Sequence, residues 1–504
     1  MLSTIPSATL LGVDGRPVRV EVHVSPGLPG FAVVGMPDAT CREARDRVRA
    51  ALLSTELKWP DARVTVNLAP PGVRKIGAGL DLAIALALLV ADGQLEAECL
   101  AERSCLGELG LDGSIRAVAG ALPLIDALET TEIVIPPASV VEARLVGRHT
   151  IRAVDHLGTL LAALRGEAPW PELPGPAPPA IEPPGPDLAD VRGQPAARYA
   201  LEVAAAGGHH LLLIGSPGSG KTMLARRLPG LLPDLTSQHA LDATRVHSVA
   251  GVPLPPSGLV RRPPFRSPHH GASAVSLVGG GTGAMQPGEL SLAHRGVLFL
   301  DELGEFSPVV LENLRQPLEE GVVRVARAAA KATFPARVLL VGAMNPCPCG
   351  EGGPPGACRC PPAARARYTR RLSAPLLDRF ELRVEVGRPA VDELLAGPDG
   401  EPTHVVANRV KVARAHAALR GVQVNAELPA WRLDDAAPLT ADATRLVERA
   451  LREGRLTGRG LDGVRRVALT IADLSADDPP LGVEHMAAAL ALRAELSYVI
   501  GHVA

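Results

Sequence analysis

The sequence predicts an α/β chain: a parallel-sheet unit, followed by a helical unit and preceded by a smaller α/β or α+β unit. Three observations carry this. Strands and helices alternate from Asp187 to about Val386, and Leu211–Ile214, Val297–Leu300 and Arg337–Ala343 are nearly continuous apolar runs, as strands buried on both faces are. Beyond Gly387 the periodicity turns helical, over Asn408–Leu419, Ala441–Glu453, Gly460–Leu474 and Val483–Leu496. Ahead of Glu167, strand-like pieces (Val18–Val24, Ala62–Leu68, Glu132–Ile135) alternate with helical ones (Asp38–Leu53, Asp81–Val90).

A chain of 504 residues holds roughly three or four domain-sized units. The expected divisions are 1–166, a linker over 167–186, a core over 187–390 and a helical unit over 391–504. The linker is dense in proline and poor in core-forming residues, which predicts a semi-rigid, extended segment rather than a ligand for a partner domain. No repeat of solenoid period is present. Hydrophobic residues make up 46% and charged residues 21%, an ordinary globular balance. Aromatics are only 2%, so the core must be aliphatic, and their scarcity argues against an extended base-stacking platform.

The formal charge of -2 gives no bulk attraction to nucleic acid or acidic membranes, so any polyanion contact must come from local basic clusters. Met1–Val20 lacks the pattern of a signal peptide. The most apolar stretch, Leu82–Ala91, is too short to span a bilayer. The expectation is a soluble, cytoplasmic protein without a membrane partner. Seven cysteines, four of them clustered, suit a metal site in a reducing compartment better than a disulfide framework.

Gly215-Ser216-Pro217-Gly218-Ser219-Gly220-Lys221-Thr222 fits the Walker A pattern in full, after an apolar strand and before a helix running from Met223 through Arg227. Glycines let backbone N–H groups converge on phosphate oxygens, and the helix N-terminus adds partial positive charge. Lys221 is expected on the β/γ phosphates and Thr222 on Mg²⁺. Gly296–Leu300 is an apolar strand ending in Asp301 and Glu302, a Walker B element. Asp301 would hold Mg²⁺ and Glu302 would orient and activate the attacking water. Leu311–Glu320 reads as a helix.

Asn345, at the end of the third core strand, fits a sensor of the γ-phosphate, although a turn former ahead of Pro346 has the same appearance. Arg379, in Ser373–Phe380, is the candidate arginine finger; a salt bridge to a surface acid is the rival reading. Arg459, in Thr457-Gly458-Arg459, is the candidate lid arginine touching nucleotide in cis, with Arg466 as runner-up and a solvated helix face as the rival.

Cys347, Cys349, Cys358 and Cys360 place four thiols within fourteen residues. Four thiolates complete a tetrahedral Zn²⁺ shell, although both pairs are C-x-C rather than the usual C-x-x-C, and a merely reduced loop is the alternative. Arg261–His270, the run Gly279–Gly283 and Arg365–Arg371 are basic or glycine-rich inserts. Each suits either a solvated face or a grip on phosphate backbones.

These residues carry a specific resemblance. The stretches "GLPGFAVVGMPDA", "GGHHLLLIGSPGSGKTMLARRLPGLLP", "PFRSPHH", "LSLAHRGVLFLDEL", "LRQPLEEG", "MNPCPCG", "LSAPLLDRF" and "RVALTIADL" resemble the YifB/ComM family of Mg-chelatase-like AAA+ ATPases over nearly the whole length. The resemblance implies a homohexameric ring using ATP and Mg²⁺, a Lon-protease-like N-terminal unit, and work on single-stranded or branched DNA. ComM-type members are branch-migration helicases in natural transformation. It also implies that pore-facing loops include the insert around Gly279–Gly283. A Lon-type protease needs a Ser–Lys dyad, yet no serine lies between Ser54 and Ser104, where Lys75–Gly79 falls; a lysine alone cannot form the acyl-enzyme. The unit is therefore expected to act as a scaffold or DNA contact. The family usually has Ser-Ala-Arg where Thr457-Gly458-Arg459 stands. A magnesium-chelatase-like metal-insertase subunit and a protein unfoldase are the alternative functions.

Overall fold

The computed structural model describes residues 1–175, 185–281, 285–327, 330–351, 358–396 and 400–494. Thr282 and Gly283 of the glycine-rich insert, most of the prolines of the linker, and the end of the last expected helix lie outside them.

The N-terminal unit begins with a four-stranded sheet in the order Leu2–Leu11, Asp14–Ser25, Arg63–Ala69, Gly30–Val34. All neighbours are antiparallel except the last pair. Helix Asp81–Ala91 packs beneath it with every residue buried but Val90, which is why its sequence is apolar on all sides. The helix expected over Asp38–Leu53 is two pieces, Ala39–Arg42 and Ala44–Ser54, divided at Glu43. A parallel sheet of Arg103–Cys105, Glu132–Ile135 and Thr150–Ala153 completes the unit.

The chain that follows does not leave at once as a free linker. Trp170 lies under the guanidinium groups of Arg103 and Arg152, at 5.7 and 5.0 Å. Trp59 stacks near Phe31 at 5.7 Å in the same unit. Lys75 is wholly buried, with its ammonium donating to the Pro70 carbonyl. Ser54 is engaged with the Leu111 carbonyl at 2.8 Å and Ser104 with Thr130 at 2.7 Å, so neither serves Lys75.

The second unit is a five-stranded sheet, every neighbouring pair parallel, in the order Phe265–Arg266, Val297–Leu300, Leu339–Met344, Leu211–Ile214, Leu382–Glu385. The third strand starts two residues later than its hydrophobic run: the Arg337 N–H donates to His294 Nδ1 at 3.1 Å and its carbonyl accepts from the Arg295 N–H at 2.6 Å. The helix expected over Leu311–Glu320 is broken into Pro308–Glu312 and Arg315–Glu320. A hairpin, Val322–Arg327 with Ala330–Pro335, stands between those helices and the third strand; its runs of Val and Ala carry no turn signal that marks it in the sequence. The helical unit contains Thr403–Leu419, Ala441–Arg452, Gly458–Ser475 and Val483–Ala491, packed into one hydrophobic core with the sheet. Trp431, on its surface, is 78% exposed. Among the described residues, no helix is long and apolar enough to cross a membrane.

The N-terminal unit is fastened to the core through helix Ser237–Val249. The Gly120 N–H donates to the Ser248 carbonyl at 2.8 Å, and Arg245 reaches Asp126 at 2.5 Å.

Asp81 shows how few buried charges the aliphatic N-terminal core admits. It is 1% exposed; burial pushes its carboxyl up, to about 6, against the pull of Arg47, which binds both oxygens at 2.6 and 3.0 Å. Arg47→Ala is expected to cost about 3–5 kcal/mol of stability near neutral pH by urea denaturation. The raised carboxyl takes up a proton as pH falls through its folded value, so the loss must shrink at lower pH; a small or pH-independent loss contradicts this role.

Candidate functional site

Every residue of strand Leu211–Ile214 is buried, and the chain leaves its C-terminal end into the glycine loop. Gly218 and Gly220 have φ of +77° and +90°, left-handed conformations that glycine adopts without strain. Gly215 is needed for space: a Cβ there would lie 2.2 Å from the Val386 carbonyl oxygen. Gly220 then caps the helix, which begins at Lys221 rather than Met223 and is interrupted before Pro229. Gln194 closes the loop from outside, donating to the Ser219 carbonyl at 3.4 Å and to the Gly387 carbonyl.

The side chains of the loop meet those of two neighbouring strands. Lys221 donates to the carbonyls of Gly215 at 2.7 Å and Ser216 at 3.0 Å, and to Asn345 Oδ1 at 3.3 Å. Burial lowers its ammonium from the usual lysine value, with Asp301 opposing. Thr222 Oγ1 donates to Asp301 Oδ2 at 2.7 Å. Lys221, Thr222, Asp301 and Asn345 thus form one cluster at the C-terminal ends of parallel strands, where α/β sheets bind ligands. A hydroxyl and a carboxylate oxygen this close are a fitting pair of hard donors for Mg²⁺.

Glu302 follows in a left-handed conformation, φ 52° and ψ 45°, which turns its side chain away from the strand. Its carboxylate lies 2.9 Å from His270 Nδ1. His270 stacks on His269 at 4.1 Å and meets the edge of Phe306 at 6.5 Å. The sequence offered His270 only as part of a basic run; nothing in its spacing points to Glu302. Tyr368 is a second unforeseen member. Its hydroxyl donates to the Asn345 carbonyl at 3.2 Å, its ring fills the space a Cβ on Gly304 would need, and burial pushes it up to about 12.

Arg379 and Arg459 are brought to each other, not to the loop. Both reach Glu319: Arg379 as a direct ion pair, Arg459 at 3.9 Å. They line a cavity of about 810 Å³ that also holds His210 and Arg466 and none of the glycine-loop or Walker B residues. His210 precedes strand Leu211–Ile214 and Arg379 precedes strand Leu382–Glu385, so the cavity lies at the N-terminal ends of the strands. A four-residue strand separates the two ends by roughly 13 Å. In this structure Arg459 and its runner-up Arg466 line this cavity rather than the glycine loop.

Of the basic inserts, Arg266 is bound through both nitrogens to Glu289 at 2.6 and 2.8 Å, and Arg371 to the Gly304 carbonyl at 2.7 Å. Arg261, Arg262, Arg367 and Arg370 are exposed. Gly279–Gly280 pairs with Gln286–Pro287 in a short hairpin.

The four clustered cysteines converge. Cys347 and Cys349 sulfurs are 3.2 Å apart, Cys347 and Cys358 3.4 Å, Cys349 and Cys358 3.7 Å, and all four sulfurs lie within 4.8 Å of one another. A tetrahedron of sulfurs around Zn²⁺ has edges of roughly 3.8 Å, from a Zn–S bond of about 2.3 Å. The Glu351 N–H, then the Cys347 and Cys360 thiols, pull Cys349 down to about 6, while burial and then Cys349 push Cys360 up to about 12.

Sheet order and loop chemistry together define a P-loop NTPase of the AAA+ class. Residues 187–394 and 400–493 match the magnesium chelatase subunit ChlI family and its C-terminal part, and 20–139 match its N-terminal ChlI segment. An uncharacterised protein of Mycobacterium tuberculosis is 45% identical over 97% of both chains. YifB of Escherichia coli is 41% identical over 98% of this chain and 97% of its own. The competence protein ComM of Haemophilus influenzae is 41% identical over the same shares. The chain belongs to the YifB/ComM family of Mg-chelatase-like AAA+ ATPases.

Gly215→Ala drives a methyl into a backbone carbonyl that cannot retreat without moving the neighbouring strand. It is expected to destabilise the core by about 1–3 kcal/mol and to weaken nucleotide binding at least tenfold in titration calorimetry; wild-type affinity and melting contradict the packing described.

Proposed function

We propose that this protein is an ATP-hydrolysing motor acting on DNA as a homohexameric ring. The observation that carries the reading is the convergence of Lys221, Thr222, Asp301 and Asn345 in one cluster. Lys221 neutralises the β/γ phosphates, Thr222 and Asp301 hold Mg²⁺, and Asn345 reads the γ-phosphate. Bound Mg²⁺ supplies charge neutralisation on the phosphates. Glu302 orients water and takes its proton; the water oxygen bonds to the γ-phosphorus as the bond to the bridging oxygen breaks, releasing ADP and phosphate.

Arg379 and Arg459 share a cavity at the opposite end of the sheet from their own glycine loop, which favours action on a neighbouring subunit's nucleotide and supports a head-to-tail assembly of the kind a ring uses. Four cysteine sulfurs at zinc-like spacing support a Zn²⁺ site of Cys347, Cys349, Cys358 and Cys360. DNA is favoured by the full-length similarity to a competence protein and by exposed Arg261, Arg262, Arg367 and Arg370. The divisions at 166, 186 and 390 stand as proposed domain limits. The match to magnesium chelatase subunits favours a second reading, metal insertion with a porphyrin-binding partner.

Three experiments test this. ATPase turnover should rise with single-stranded or branched DNA and the rise should fade with salt; activation only by a porphyrin-binding protein or an unfolded protein would overturn the DNA assignment. Glu302→Gln should bind ATP near normally and lose turnover by at least 100-fold, and normal hydrolysis removes Glu302 from the chemistry. Lys221→Ala and Arg379→Ala should each be inactive alone but regain turnover when mixed, because an intact loop then faces an intact arginine. If mixing restores nothing, the arginines do not act across subunits.

A further inference from the structure

The cysteine cluster and the nucleotide site share backbone. Asn345, whose Oδ1 accepts from Lys221, is separated from Cys347 only by Pro346. On the other side of the cluster, Cys360 is followed by helix Pro362–Thr369, whose Tyr368 returns to bond the Asn345 carbonyl at 3.2 Å. The cysteine loop also lies directly on the glycine loop. At Gly350 the φ is +82°, and a Cβ there would stand 2.5 Å from Pro217 Cδ and 2.7 Å from its Cγ. The same glycine donates its N–H to the Cys347 carbonyl at 2.9 Å. Pro217 is thus walled by the loop that the cysteines close.

We propose that Zn²⁺ held by Cys347, Cys349, Cys358 and Cys360 is a structural part of the nucleotide site, fixing Asn345 and the wall behind Pro217, so that metal occupancy sets ATP affinity. The two cysteine pairs lie on chain segments that meet here through sulfur contacts. A bound metal replaces these weak contacts with four bonds and closes a ring through Asn345, the cluster, helix Pro362–Thr369 and Tyr368. Removal of the metal releases that ring, and with it the carbonyl of Asn345 and the contact on Pro217. The contacts of Lys221 and Thr222 run to the glycine loop, Asn345 and Asp301 and not to a cysteine, so the effect is on positioning. The inference rests on the proposed ATP site, and thermodynamic linkage supplies its test: if metal raises nucleotide affinity, nucleotide must raise metal affinity by the same factor.

The experiment uses the full chain purified without chelator. Zinc is quantified per chain, and MgATP affinity is measured by calorimetry on wild type, Cys349→Ser, Cys358→Ser and the control Cys99→Ser. The expected result is one zinc per chain in wild type and control, loss of zinc in the two cluster variants, and at least tenfold weaker MgATP binding in both. Against failure of a variant to fold, wild type is stripped with a chelator and reloaded with zinc or cobalt; affinity should fall and return. Chelator competition should show metal held at least tenfold more tightly with MgATP present. Absence of zinc, or nucleotide affinity within twofold with and without metal, overturns the coupling while leaving the ATP site intact. Failure of zinc-loaded wild type to bind MgATP at all overturns the ATP site itself and the coupling with it.

Discussion

The hydrogen bond between Thr222 and Asp301 is the constraint on which the molecule turns. Thr222 stands in the helix that follows one strand and Asp301 just past the end of another; those two strands do not touch, and Leu339–Met344 lies between them. The two residues meet because all three strands are parallel and buried, with Leu300 level with Gly342 and Ile214 level with Met344. The middle strand then delivers Asn345 between them, against Lys221. The apolar runs of the sheet are therefore as much part of the site as the polar residues at their tips: a slip of one residue in any strand would invert its faces and separate the cluster.

Outside that cluster, polar contacts divide the molecule into two ends. At the C-terminal ends of the strands stand the glycine loop, the acid pair, His270 and the cysteines. At the N-terminal ends stand Arg379, Arg459 and Glu319. Buried His209 ties this second end to the helical unit, with one ring nitrogen toward Glu381 and the other 2.8 Å from Thr470.

Much of this was legible in the chain. Leu211–Ile214, Val297–Leu300 and Glu132–Ile135 have the limits their sequence patterns predict, because each is bounded by a polar residue, glycine or proline. The glycine loop and the acid pair were equally plain, since their chemistry demands particular residues at adjacent positions. What escaped depends on tertiary encounters. His270 meets Glu302 across 32 positions, and Tyr368 meets Asn345 across 23, with no periodicity to announce either. The position of Arg459 escaped for the same reason: a helix start at Thr457 is readable, but not the end of the sheet to which that helix is carried. The breaks at Glu43 and between Glu312 and Arg315 are local departures inside patterns that read as continuous.

The aromatic economy of the chain has an optical result. Its three tryptophans are Trp59 and Trp170 in the N-terminal unit and Trp431 on the surface of the helical unit; none lies between residues 187 and 390. Tryptophan emission therefore comes from two half-sheltered indoles in the N-terminal unit and a water-bathed one on the helical unit. A single indole engineered into the nucleotide-facing sheet, with those three replaced, would report on it alone.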